Sequence, residues 1–150
     1  MMMKTEGFAE IERELSKLSK VAGKGVLRRA LKKAGEPLAE SMRSRAPRND
    51  DELAQSIDVS TKLSKRQRSR HRKMFKDDRA SVEVFVGAGA LPQAHLQEFG
   101  TVFHAAQPFA RPAWDADRVP LLGRLATLTR EELDKAIARA LRRAKKLERA

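Results

Sequence analysis

Apolar residues recur every three or four positions along the first part of the chain. Phe8, Ile11, Leu15, Leu18 and Ala22 form one stripe, and Glu12, Arg13, Glu14, Lys17 and Lys20 fill the positions between them. That period predicts an amphipathic helix with one buried face. Gly23 and Gly25 flank Lys24, and each costs about 1 kcal/mol relative to alanine inside a helix, so they mark either a hinge or a weak point. The stripe resumes at Leu27, Ala30, Leu31, Ala34, Leu38 and Met42. Pro37 lacks a backbone donor, and it either kinks the helix near Ala34 or starts a new one. Residues 5–45 therefore form two helical segments or one bent helix. The run Ala46-Pro47-Arg48-Asn49-Asp50-Asp51 predicts a loop.

The period then shortens to two. Ile57, Val59 and Thr61 alternate with Asp58 and Ser60, and Val82, Val84 and Val86 alternate with Glu83 and Phe85. These are two short half-buried strands, expected to pair antiparallel. Between them, residues 62–79 carry nine basic side chains against Asp77 and Asp78, a local charge of +7. So little apolar content predicts a long, mobile hairpin loop, which either stays solvated or orders against a partner. Its candidate contact residues are Lys65, Arg66, Arg68, Arg70, Arg72, Lys73 and Lys76.

From Pro92 to Trp114 the chain is rich in His, Phe, Gly and Pro, and reads as an irregular connector. Further on, Thr129 and Glu132 have capping-box spacing and Leu128 and Leu133 that of a hydrophobic staple. A helix is expected to start there and run to about Leu147, unless the signal lies inside a longer helix. Its stripe is Leu133, Ile137, Ala140, Leu141, Ala144 and Leu147. Upstream, Pro112 suits a first helical position, Trp114, Leu121, Leu122 and Leu125 can face a core, and Pro120 is expected to bend the piece.

Composition adds three constraints. The 150 residues suit one domain, 1–150, with residues 1–4 expected to be disordered and MetMetMet at 1–3 set aside as a start-site feature. Aromatics make up 5% and tyrosine is absent, so the core is thin, a condition often relieved by oligomerisation. The net charge of +12 favours phosphate backbones or acidic surfaces as partners. No cysteine is present, which excludes disulfides, thiolate-bound zinc and thiol nucleophiles and fits a reducing compartment. Neither a secretory h-region nor a run of about 20 apolar residues occurs, so a soluble protein with no membrane partner is expected.

Catalytic patterns are sparse. His95, Glu98 and His104 are the only combination resembling a metal set, and their spacing fits none of the common zinc motifs. Gly87-Ala88-Gly89 lacks the remaining glycines of a dinucleotide fingerprint, and the serines have no nucleophile elbow around them. No enzyme activity and no cofactor are expected. A hydrolase would require a metal-dependent activity lost on changing His95 or Glu98. Non-specific DNA binding is the stronger alternative, although the basic stretch holds one aromatic, Phe75, and so lacks the stacking platforms of single-strand binders.

Two segments carry a family resemblance. One is His95-Leu96-Gln97-Glu98-Phe99-Gly100-Thr101 followed by Gln107-Pro108-Phe109-Ala110-Arg111-Pro112-Ala113-Trp114. The other runs from Ala46-Pro47 to Ser56-Ile57, with Asp51-Glu52 where the pattern has Thr-Gly. Together they resemble the tail-component, or neck, proteins of long-tailed bacteriophages, over about residues 5–147. The resemblance implies an α+β fold: a small antiparallel β-sheet with the long basic hairpin loop, packed against N-terminal and C-terminal helices. It also implies a virion protein at the head-tail junction, assembled in the bacterial host cytoplasm. Such a protein is expected to form a ring, commonly of six subunits, between head-closure and tail-terminator rings, with DNA passing through the lumen.

Candidate interface residues are His95, Glu98, Phe99, Gly100, Thr101, Phe103, Pro108, Phe109, Arg111, Pro112 and Trp114. Gly100 is expected to permit a tight or positive-φ turn, and Pro108 and Pro112 to fix the connector's path. Phe99 and Phe109 are expected in the core, and Phe103 and Trp114 either in the core or at a subunit contact. Glu98 and Arg111 either pair or remain plain surface charges.

Overall fold

The structure, a computed structural model, describes residues 6–48, 51–76 and 82–149. The expectations for residues 1–4, and for Asn49, Asp50, Asp77, Asp78 and Arg79, fall outside these. Eight elements follow in order: α1 (Glu6–Ser16), α2 (Lys20–Arg45), α3 (Glu52–Ser56), β1 (Asp58–Ser60), α4 (Lys65–Met74), β2 (Phe85–Gly87), α5 (Pro92–Phe99) and α6 (Ala110–Glu148). The long helices α2 and α6 pack along each other, α1 lies against both, and the strand pair packs on α2.

The first helical stripe breaks at Lys17–Ser19, ahead of the glycines, because Ser19 caps α2: its hydroxyl accepts the Ala22 N–H at 3.3 Å. Gly23, Gly25 and Pro37 all lie within α2, which continues through them for 26 residues. The missing Pro37 donor is tolerated in a long helix pinned from outside. Arg124, held by a bidentate pair with Asp117, donates to the Ala34 carbonyl at 3.0 Å in the same region. Val26, Ala30, Ala34, Leu38 and Met42 are buried, as the helical period requires.

The loop after α2 contains a short helix that its turn residues did not announce. Asp51 begins α3 with φ 51°, the one non-glycine among the described residues with positive φ. Aspartate tolerates that region better than most side chains. The Arg43 guanidinium then donates twice to the Ile57 carbonyl, at 3.0 and 2.9 Å, and ties α2 to the start of β1.

β1 and β2 pair antiparallel with Val59 opposite Val86. The second strand is 85–87, with Val82 and Val84 preceding it. The pair approaches α2 closely at Gly35, where an added Cβ would lie 3.1 Å from Val86 and 3.2 Å from Val59. One apolar cluster unites Leu38, Met42, Leu53, Ile57, Val59 and Phe109.

Two expectations require correction. The stretch 62–79 is not a structureless hairpin loop, because α4 occupies Lys65–Met74. The Ser64 hydroxyl accepts from the Gln67 N–H, and the Gln67 side chain accepts from the Ser64 N–H, a reciprocal cap that offsets the lack of buried residues. Nor does a helix begin at Thr129; of the two readings of that spacing, the one that puts it inside a longer helix holds. α6 is continuous over 39 residues and includes Pro120, the Thr129 hydroxyl donates back to the Leu125 carbonyl, and Glu132 bonds to α2 instead of capping.

That last bond joins the two long helices. The buried Glu132 carboxylate accepts from Arg29 at 2.8 Å and from Lys33 at 2.5 Å, with Lys135 at 3.6 Å. Lys33 and Arg29 hold its pKa down to about 2, against the usual carboxylate value of 4.5. The folded state thus binds this proton more weakly than the unfolded chain. The stabilisation is present above about pH 5 and is lost as pH falls through the unfolded value towards 2. Since both cations are half exposed, we expect Glu132→Gln to cost about 2 kcal/mol at neutral pH. Thermal unfolding as a function of pH is expected to be flatter for the variant on the acid side, and parallel curves would locate the acid sensitivity elsewhere.

Candidate functional site

The connector expected between Pro92 and Trp114 contains two helical pieces and one tight turn. Pro92 opens α5 at a position that needs no donor, and α5 ends at Gly100, whose φ is 75° and ψ −179°. This conformation is essentially confined to glycine. A Cβ on Gly100 would sit 2.7 Å from the Ala106 nitrogen and 2.9 Å from the His104 carbonyl oxygen. The glycine therefore lets the chain fold back on itself. Thr101 N–H donates to the His104 carbonyl at 2.8 Å, and Gln107 N–H donates to the Gln97 carbonyl at 2.8 Å, closing the fold-back at both ends.

Glu98 holds this loop to the long helix. Its side chain is buried, and the carboxylate accepts the backbone N–H groups of Phe109 (2.8 Å), Ala110 (2.9 Å) and Arg111 (3.0 Å). These are the first donors of α6, which no side chain of its own N-cap residue satisfies. Glu98 is thus a cap delivered from another helix, and its charge suits the positive helix end. Arg111 completes the clasp, donating to the Glu98 carboxylate at 2.9 Å and to the Glu98 carbonyl at 2.8 Å. Burial pushes the Glu98 pKa up, but the Ala110 and Phe109 amides together with Arg111 outweigh it and leave it below its usual value.

The clasp sorts the candidate interface residues. Phe109 is buried at 3% exposure, as expected. Phe99 is not in the core: it is 57% exposed, with the Arg111 guanidinium 4.8 Å above its ring and His95 against it at 4.9 Å. The core place expected for Phe99 goes to its neighbour Glu98, because the helix turns the side chain that can reach the α6 amides inward. Val102 and Phe103 occupy the tip of the 101–104 turn and are 95% and 98% exposed. Trp114 is 47% exposed on the first turns of α6. It borders an apolar groove of about 490 Å³, lined also by Leu38, Met42, Val84 and Val86. Thr101, Pro108 and His104 are exposed, and Pro112 is half-buried.

His95, Glu98 and His104 do not converge. His95 meets the Phe99 ring at a tilt of 48°, His104 Nε2 lies 3.3 Å from the Gln97 side-chain oxygen, and both Glu98 oxygens are engaged. Among the described residues no three His, Asp or Glu side chains gather as metal ligands, and no helix is long and apolar enough to cross a membrane. The basic candidates Lys65, Arg66, Arg68, Arg70, Arg72, Lys73 and Lys76 are all exposed on or just after α4. Sequence reasoning placed them in a coil, although Ser64 and Gln67 carried the capping signal for a helix.

The clasped turn thus leaves the apolar side chains of Val102 and Phe103 exposed. The family model "Bacteriophage HK97-gp10, putative tail-component" matches residues 9–100, well over half of the chain, and the protein belongs to that family. The match ends at Gly100, so Arg111 and α6 lie beyond it. None of the curated proteins and none of the solved structures matches the chain. A phage tail component works in the virion, among other phage structural proteins.

Proposed function

We propose that this protein is a non-enzymatic neck or tail-completion subunit at the head-tail junction, repeated in a ring, commonly of six copies. The ring would sit between head-closure and tail-terminator rings, with DNA passing through its lumen. The observation that carries the reading is the 101–104 turn. Val102 and Phe103 are almost wholly exposed, yet the Gly100 fold-back and the Glu98 clasp fix their position. An exposed phenylalanine on a rigid turn costs little entropy to bury, which suits an interface anchor. Each chain also carries the apolar groove beside Trp114, so the turn of one copy and the groove of the next form a head-to-tail contact of the kind that closes into rings.

Phe103→Ser tests this directly. Because Phe103 touches little within its own chain, the variant is expected to unfold within about 0.5 kcal/mol of the parent protein. Contact between copies or with a neighbouring ring is expected to weaken by about 2 kcal/mol, roughly 30-fold. Phage carrying it are expected to accumulate filled heads and separate tails in electron micrographs. Normal yields of joined particles would refute the assignment.

A further inference from the structure

We propose that the outward face of α4 is a binding site for the phosphate backbone of double-stranded DNA. One side of this helix is engaged with the body. The Gln67 amide donates to the Gly89 carbonyl, and the His71 ring meets Phe85 edge-on at 5.3 Å, with Glu83 at 3.5 Å from its Nε2. At 100° per residue, Lys65, Ser69 and Arg72 point the opposite way, with Arg68 and Lys73 flanking them, and Lys76 follows just beyond the helix end. These six residues line a single shallow groove.

The five cations have no carboxylate partner among the described residues; Arg68 donates only to the Leu63 carbonyl. α4 buries none of its own side chains, so the charges serve no packing purpose. From Lys65 to Lys73 the four helical cations span about 12 Å, roughly two per helical turn, and Lys76 adds a fifth just past the helix end. No apolar residue lines the groove, which leaves a protein partner without the desolvated anchor that stable protein contacts use. A phosphate backbone needs no such anchor, since it offers a row of charges and gains affinity by releasing counterions. The biological setting rests on the neck reading, in which DNA threads the ring.

Fluorescence anisotropy of the full chain with a labelled duplex of about 30 base pairs tests the site by its salt dependence. Five phosphate contacts give a log–log slope of about −4.5 from this face, equal to a loss of about 500-fold between roughly 50 and 200 mM salt. Changing Lys65, Arg68, Arg72, Lys73 and Lys76 to Gln is expected to remove a slope of about 4 to 5. Changing Arg139, Arg142, Arg143 and Lys146 to Gln at the end of α6 is expected to leave most of the slope in place. Circular dichroism checks that both variants keep their helices. Equal loss in the two variants, an unchanged slope in the first, or the same face binding polyglutamate but no duplex would overturn the proposal. Phage that join heads to tails without this protein would refute the neck reading and leave the duplex measurement standing.

Discussion

Glu98→Ala is expected to lower stability by about 3 kcal/mol, although the change lies in a short helix far from the centre of the chain. The alanine leaves the Phe109, Ala110 and Arg111 amides without an acceptor at the start of α6, and removes the anion that the Arg111 guanidinium and the helix end both face. The exposure of Arg111 keeps the loss below that of a fully buried ion pair. For a chain of this size the midpoint of thermal unfolding is expected to fall by roughly 6–12 °C. Glu98→Gln keeps one acceptor oxygen and is expected to lie between the two. Calorimetry that found Glu98→Ala as stable as the parent would mean that α6 starts without this cap.

Gly100→Ala is expected to cost about 3 kcal/mol or more, since backbone strain and collision act together there. The methyl group meets backbone atoms of His104 and Ala106, which cannot rotate away as a side chain can. Two other glycines calibrate the result. An added Cβ at Gly87 meets nothing within 4 Å and its φ is ordinary, so Gly87→Ala is expected to be nearly neutral. Gly89 has φ 59° with open space around it, so its alanine variant is expected to show strain alone, about 1 kcal/mol. Unfolding curves for the three variants should rank Gly100→Ala as the most destabilised, Gly89→Ala next and Gly87→Ala least. If Gly100→Ala fell with Gly87→Ala, the 101–104 turn would have to be freer than its hydrogen bonds imply. Under the proposed neck role, the same substitution is expected to displace Phe103 and so impair head-tail joining more than its stability cost alone would.

What was legible in the sequence was whatever burial dictates. The apolar period at Ala30, Ala34, Leu38 and Met42 marked the buried face of α2, although Val26 takes the buried place and Leu27 and Leu31 are half-buried; the alternation around Val59 and Val86 gave an antiparallel pair, which forms over Asp58–Ser60 and Phe85–Gly87. The burial of Phe109 was expected from the connector's residues, and of the alternatives they left open the structure takes a positive φ at Gly100 and a bonded Glu98–Arg111 pair. Elements held by caps were harder to see. α4 has almost no apolar residues, so a reading weighted towards hydrophobic period passed over the Ser64–Gln67 signal. The Thr129–Glu132 pair misled in the opposite direction: the spacing was right, but the carboxylate serves Arg29 and Lys33, residues about a hundred positions away. Phe99 and Glu98 exchanged expected roles for a similar reason. Hydrophobicity predicted the phenylalanine inside, whereas three unsatisfied amides on a distant helix required the carboxylate.

α6 has a mechanical consequence of its own. At 39 residues it is about 58 Å long, and from Arg139 onward every described side chain is exposed. The last 15 Å or so is therefore a solvent-facing spar, stiffened by its own helical hydrogen bonds and by the Arg142 guanidinium on the Ala138 carbonyl. It carries Leu141 and Leu147 outward, beyond the packed body. The molecule thereby gains a reach that its small core could not supply, and the direction of that reach is set by the bonds of Glu132 and Arg124 to α2 together with the grip of Glu98 on the first turn.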